Sequence, residues 1–159
     1  RRDKEADAQL KAVLTAHPDF APARATAAFQ YIDQKMYSEA EVEMRILAKL
    51  NKQDPDAKAL VVRGMADPAQ RAASIKSLDT SPANADFRSD PILYASYLVA
   101  LGERSRALDE LETYAVKHNS SFGALIWNRG FDPLHNDPRF KAVLTKLALP
   151  YNPATAPKS

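Results

Sequence analysis

The sequence predicts an all-α protein built from a repeated pair of helices. Large apolar residues recur at spacings of 34, 34 and 33 positions, at Leu10, Met44, Leu78 and Leu111. A small residue stands four positions before each of them, at Ala6, Ala40, Ser74 and Ala107. Residues four apart share one face of a helix, so the same packing patch recurs once per repeat. A fixed period of this length is typical of helical repeat architectures.

The first half of the chain follows this period closely. Residues 1–20 contain the second helix of a partial unit, and Pro18 lies near its end. Because its first helix is missing, we expect the chain to be part of a longer protein. In the next unit, 21–54, Tyr31 belongs to the first helix and Tyr37 opens the second.

The third unit, 55–87, keeps the spacing but is degenerate. Asp67-Pro68 shortens its first helix, and its closing proline, Pro82, comes early. The fourth unit, 88–120, is regular again, with Gly102 in the turn between its two helices.

Aspartate followed by proline marks four predicted helix starts. Aspartate is a favoured N-cap, and proline is tolerated in the first turn because its missing N–H would have no partner there. The four pairs are Asp54-Pro55, Asp67-Pro68, Asp90-Pro91 and Asp137-Pro138.

These features together resemble the tetratricopeptide repeat. The stretch YIDQKMYSEAEVEMRIL, residues 31–47, is the strongest match, and the fourth unit is the second. In the fourth unit the matching residues are Ala95, Leu98, Gly102, Ala107, Leu111 and Tyr114. The resemblance implies a right-handed α-α superhelix of about four to five helix-turn-helix units over residues 1–149.

Residues 121–149 are expected to form a terminal cap. The stretch FDPLHNDPRF, 131–140, resembles the end of tetratricopeptide tails on bacterial membrane-bound winged-helix regulators, adenylate cyclases and serine/threonine kinases. His135 and Ala148 replace the arginine and glycine usual in that group. One apolar face is predicted for the helix that follows Asp137, formed by Phe140, Val143, Leu144 and Leu147. Residues 150–159 have no helical period and are predicted to be a disordered, proline-rich tail.

Composition excludes several kinds of partner and cofactor. The 22 basic and 20 acidic residues are interspersed and leave a net charge of +2, which does not favour nucleic acid. The longest apolar run, 91–101, is about half of the ~20 residues that a membrane-spanning helix needs. The chain contains no cysteine, which excludes disulfides and thiolate metal sites. Cysteine usage leaves the compartment open, and we expect the periplasm rather than the cytoplasm.

No residue pattern predicts catalysis. The four glycines are isolated, so no phosphate-binding loop is expected, and we predict no cofactor. His17, His118 and His135 have no second ligand at helical spacing, so no metal site follows. The carboxylate pairs Glu39/Glu43 and Asp109/Glu112 are expected on solvated helix faces. We therefore predict that the chain is not an enzyme.

The predicted function is protein recognition. In the tetratricopeptide family the first helices of successive units line a concave groove that binds a peptide or a partner protein. The residues that the repeat register places there are Phe29, Ile32, Asp33, Arg63, Ser96, Val99, Asn128 and Arg129. Ala25, Phe29 and Asp33 stand where a carboxylate clamp would carry lysine and asparagine, so such a clamp is not expected. Phe29 also fits an inter-repeat core position, and Arg63 a plain surface position.

Three settings are compatible with such a scaffold. We favour the sensory or regulatory part of a larger bacterial protein. The alternatives are a free-standing envelope or secretion adaptor and a non-catalytic part of an enzyme. Self-association as a homodimer stays open.

Overall fold

The computed structural model describes residues 2–117 and 129–147, and every regular element in these ranges is a helix. The all-α prediction is confirmed. By its contacts the chain divides into two compact units, Arg1–Ala85 and Asp86–Ser159. Within each unit, consecutive helices pack against one another in adjacent pairs.

The first unit is a run of α-helices joined by short turns. Its α-helices are α1 (Arg2–Ala16), α2 (Ala21–Asp33), α3 (Tyr37–Leu50), α4 (Pro55–Ala66) and α5 (Arg71–Thr80). Short 3-10 turns, Pro68–Gln70 and Pro82–Asn84, precede and follow α5. Helix α3 packs on both α2 and α4, and α5 packs on α4, whereas α1 packs mainly on α2.

The second unit contains a further set of packed helices. These are α6 (Ala85–Ser89), whose first residue is the last of the first unit, α7 (Pro91–Ala100), α8 (Arg104–Lys117), a 3-10 helix (Arg129–Leu134) and α9 (Pro138–Lys146). Helix α8 packs on α7 and α9, and α7 also packs on the 3-10 helix.

The Asp-Pro pairs begin helices as predicted. Carboxylate oxygens of Asp54, Asp90 and Asp137 accept hydrogen bonds from backbone N–H groups in the first turns of α4, α7 and α9. Asp67 also caps, since it accepts from the N–H of Ala69 at 2.9 Å, but it opens a 3-10 turn rather than an α-helix. This short turn redirects the chain so that α5 packs back on α4.

The turns after α2 and α7 share one backbone geometry. Lys35, after α2, has φ 58° and donates its N–H to the carbonyl of Ile32 at 3.0 Å. Gly102 lies 67 positions later, has φ 87° and donates to Val99 at 3.0 Å. In each turn the next residue donates its N–H to the carbonyl five positions before it, and the two hydrogen bonds together form the Schellman motif. Gly102 therefore lies in the turn between two helices, as predicted from the sequence.

In three of the four repeats, the small residue and the large apolar residue four positions after it form a small-and-large pair that lies in the core. Their members are fully buried: Ala40 and Met44, Ser74 and Leu78, Ala107 and Leu111. The first pair is different, because Ala6 is exposed and Leu10 is only half-buried. The physical reason is that α3 lies between two helices, whereas α1 packs mainly on one.

Hydroxyl groups join α5 to α4 in the degenerate third repeat. Ser74 Oγ donates to the carbonyl of Leu60 at 2.5 Å, and Ser77 Oγ donates to that of Ala57 at 3.1 Å. The amide of Asn84, which is fully buried, donates to the carbonyl of Ser77 at 3.0 Å. Ser74 therefore supplies the small side chain that the repeat has at this position, and it also forms a hydrogen bond to the neighbouring helix.

The last described helix has the predicted apolar face, since Phe140, Val143, Leu144 and Leu147 are all buried. The Phe140 ring lies 6.0 Å from that of Phe131 and stacks on that of His135 at 5.7 Å, measured between ring centroids. His135 is buried in this cluster. The predicted tail, 150–159, lies outside the described residues, as do His118, Asn128 and Ala148.

Arg139 joins α9 to α8 through Asp109 and Glu112. Its guanidinium donates to Glu112 at 2.8 and 2.9 Å and to Asp109 at 2.5 Å. The hydrogen bond from Arg139 lowers the pKa of Glu112. The Asp109 side chain is 64% exposed and the Glu112 side chain 38%, so the pair lies on a solvated face and also contacts α9.

Candidate functional site

A pocket lined mostly by polar residues lies in the first unit, where the start of α3 meets the end of α4. Its cavity volume is about 270 Å³. The residues around it come from three consecutive elements: Tyr37, Ser38 and Glu41 from α3, Arg63 and Ala66 from α4, and Asp67 and Gln70 from the turn before α5. Arg63 is one of the residues that the sequence assigned to a binding surface. We call this cavity the α3–α4 pocket.

Glu41 organises one wall of the α3–α4 pocket. Its Oε1 accepts hydrogen bonds from Arg63 Nη2 at 2.7 Å and Nε at 2.9 Å. The same oxygen accepts from Arg45 Nε and Nη2, both at 3.2 Å. The hydrogen bond from Arg63 is the main cause that lowers the pKa of Glu41. Glu41 is therefore held as a carboxylate between two guanidinium groups.

The ion cluster extends away from the pocket along α4. Arg45 Nη1 donates to Asp56 Oδ1 at 2.6 Å. This bond lowers the pKa of Asp56, a residue in the first turn of α4. The two arginines, held by acidic residues of α3 and α4, fix the two helices against each other and restrict the Arg63 side chain.

Another part of the pocket lining is the capped turn before α5. Asp67 uses Oδ1 to accept from the backbone of Ala69, and its Oδ2 accepts from Gln70 Nε2 at 3.1 Å. A carboxylate, an amide and a short 3-10 turn therefore line this side. The α3–α4 pocket presents donors and acceptors on fixed elements, which suits recognition of a polar segment.

The remaining predicted residues of the first unit lie on α2. Phe29 and Ile32 are half-buried and Asp33 is exposed. None of the three lines the α3–α4 pocket, so the structure joins only Arg63 of the predicted set to it.

The predicted residues of the second unit do not form a cluster of exposed side chains. Ser96 is half-buried and its Oγ donates to the carbonyl of Leu93 at 2.7 Å, whereas Val99 is buried with 6% of its surface exposed. Arg129 is exposed at the start of the 3-10 helix. Val99 therefore offers little surface to a partner.

One further expectation about charges is wrong. Glu43 was expected on a solvated face with Glu39, but it is buried, with 8% of its surface exposed. Arg24 Nη1 donates to it at 2.8 and 3.1 Å. The pair joins α2 to α3 across 19 positions of sequence, which a local charge pattern does not reveal.

Sequence reasoning also missed Glu41, the centre of the α3–α4 pocket wall. The four-residue spacing of Glu41 and Arg45 signals a helical ion pair, and that signal was available. The contact of Glu41 with Arg63, 22 positions away, depends on how α3 packs on α4.

The described residues lack the usual arrangements for metal binding and membrane insertion. Within 2–117 and 129–147 no group of three or more histidine, cysteine, aspartate or glutamate residues could hold a metal ion. None of the helices in these ranges is long and apolar enough to cross a bilayer. Comparisons of the chain with protein-family models, curated proteins and solved structures found no match.

Proposed function

We propose that this chain is a protein-recognition module that binds a peptide or a segment of a partner protein in the α3–α4 pocket. The observation that carries the proposal is the presence of Arg63, a predicted binding residue, in the wall of this pocket. No catalytic activity is part of the proposal.

The chemistry of the pocket supports a polar ligand. Glu41 and Asp67 supply carboxylate acceptors, while Arg63 supplies a guanidinium group already aligned by Glu41. Side chains held by such bonds lose little conformational entropy when a ligand arrives, which favours binding. A peptide segment with both backbone donors and acceptors fits these groups.

The wider architecture is proposed to be a tetratricopeptide-like superhelix. Support comes from the 34-residue spacing, the buried small-and-large pairs of α3, α5 and α8, and the shared turn geometry at Lys35 and Gly102. Stacked helix pairs present extended surfaces for other proteins. The terminal motif around Phe131 to Phe140 favours the regulatory part of a larger bacterial protein.

A peptide-display selection on the full chain tests the proposed function. Enriched peptides would be measured for affinity against the parent protein and against Ser38→Trp, which places an indole in the mouth of the pocket. We expect Ser38→Trp to weaken binding at least about tenfold, or about 1.4 kcal/mol.

Glu39→Trp is the matched control. Glu39 is the next residue of α3 and is also exposed, but it does not line the pocket. Circular dichroism would establish that both variants retain parental helicity. The proposal fails if no peptide is enriched over an empty support, or if Glu39→Trp weakens binding as much as Ser38→Trp.

A further inference from the structure

The lining of the α3–α4 pocket carries one negative charge in excess. Two of its three charged residues, Glu41 and Arg63, form an ion pair at 2.7 Å. The third, Asp67, forms no ion pair within the part of the chain that the structure describes. Arg45 and Asp56, the other members of the ion cluster, have opposite charges and leave this excess unchanged. The charge of the pocket therefore favours a cationic group.

Asp67 keeps hydrogen-bonding capacity for such a group. Its Oδ1 accepts a hydrogen bond from the N–H of Ala69 at 2.9 Å, and its Oδ2 accepts one from Gln70 Nε2 at 3.1 Å. A carboxylate has about four acceptor sites, two on each oxygen, so each oxygen of Asp67 has about one site left. A guanidinium group can use both oxygens together, and an ammonium group can use either. The bonds from the turn also hold the carboxylate in place before a ligand arrives.

The pocket also has an aromatic side chain and enough room for a long side chain. Tyr37, at the start of α3, is half-buried and lines the cavity. Aromatic rings attract cations through the negative charge of their faces. An engineered cavity of about 150 Å³ holds a benzene molecule, and the α3–α4 pocket measures about 270 Å³. The end of a basic side chain therefore fits.

Arg63 suits a neutral group of the ligand better than an anionic one. Its Nε and Nη2 both donate to Glu41 Oε1, so its charge is already balanced. An anionic ligand would reach Arg63 beside the carboxylates of Glu41 and Asp67, and like charges repel. Arg63 Nη1 has no hydrogen-bond partner among the described residues and can donate to a backbone carbonyl.

We infer that the segment bound in the α3–α4 pocket carries an arginine or lysine side chain whose cationic end forms an ion pair with Asp67. The inference rests on the proposed function and names the ligand chemistry of that same site. It assigns specificity to Asp67, whereas the proposed function required only that the pocket be occupied.

Four displayed peptide libraries that differ in one fixed central residue test the inference. The central residue is arginine, lysine, glutamine or glutamate, and the flanking positions are randomised among uncharged residues. The libraries are mixed, selected on the full chain and counted by sequencing. We expect peptides with central arginine or lysine to be recovered at least about tenfold more often than those with glutamine, because hydrogen bonds between charged groups are the strong ones. Peptides with glutamate should not exceed those with glutamine.

Asp67→Asn removes the charge and keeps the cap, since asparagine caps helix starts as well as aspartate. The preference for a basic central residue should disappear. Asp67→Ser, a second neutral capping residue, gives the same test if the asparagine variant loses helicity by circular dichroism.

Asp54→Asn is the matched control for Asp67→Asn. Asp54 also precedes a proline and caps a helix, α4, but it is exposed and does not line the pocket. The two substitutions change the net charge of the protein equally, so they affect the general attraction of basic peptides alike. The preference should therefore be the same in Asp54→Asn as in the parent.

Ser38→Trp separates failure of this inference from failure of the proposed function. If no library is enriched, or if Ser38→Trp leaves all recoveries unchanged, both proposals fail. If Ser38→Trp lowers recovery but the parent shows no preference for basic peptides, only the inferred chemistry is wrong. The same holds if Asp67→Asn keeps the preference or Asp54→Asn also loses it. A preference for glutamate would instead assign the pocket to an acidic segment bound by Arg63.

Discussion

Leucine occupies the same repeat position in α1 and α5, but the two side chains differ in burial. Leu78 is fully buried between helices, whereas Leu10 is half-buried. Replacing a buried leucine by alanine costs the transfer free energy of the lost methyl groups and the energy of the cavity, together roughly 2–5 kcal/mol. At Leu10 about half of the transfer energy is lost and no closed cavity forms, so we expect about 1 kcal/mol.

Urea denaturation of Leu78→Ala and Leu10→Ala, followed by circular dichroism, measures both changes in the free energy of unfolding. Both residues belong to the first unit, so the same unfolding transition reports them. Equal slopes of the free energy of unfolding against urea concentration would show that the unfolded state is unchanged. A cost for Leu10→Ala as large as that for Leu78→Ala, or a cost for Leu78→Ala below about 0.5 kcal/mol, the size of a surface effect, would refute the assigned repeat register.

Four further substitutions test the second unit, the turn geometry and the ion cluster. Leu111→Ala should lower the free energy of unfolding by roughly 2–5 kcal/mol in urea denaturation, because Leu111 is fully buried in α8. Lys35→Gly should raise the thermal midpoint, since the left-handed conformation costs a non-glycine residue about 1 kcal/mol, while Gly102→Ala should lower it. The depressed pKa of Glu41 means that its contribution to stability is present above the ordinary value of 4.5 and is lost as pH falls through the lower folded value. Glu41→Gln should therefore lose less stability than the parent between pH 5 and about 3 in pH-dependent urea melts, and an equal loss would contradict the Arg63 contact.

Local features of the chain were read correctly because their causes lie within a few residues. Asp54, Asp90 and Asp137 accept hydrogen bonds from backbone groups only two or three positions away. Gly102 adopts a positive φ that glycine tolerates best. The apolar face of α9 follows from side chains spaced along one helix. Such interactions need no knowledge of how distant helices meet.

The candidate site was only partly predictable, because its contacts join residues that are far apart in the sequence. Arg63 was assigned to a binding surface by its place in the repeat, but its partner Glu41 lies on another helix. Charged residues on a helix can face solvent or a neighbour, and their sequence pattern is compatible with both. The burial of Val99 and the engagement of Glu43 by Arg24 depend on packing between elements.

The sequence by itself determined that the chain is helical, where α3, α4, α7 and α9 begin, and which residues repeat every 33 or 34 positions. These properties arise from backbone capping, turn conformation and side-chain periodicity, which act over one or two helical turns. Only the tertiary structure decided that Ala40 of α3 is buried while Ala6 of α1 is exposed, and that Arg63, Glu41 and Asp67 surround one pocket. Identical local patterns are buried or exposed according to the number of helices that pack around them, and that number is a property of the assembled fold.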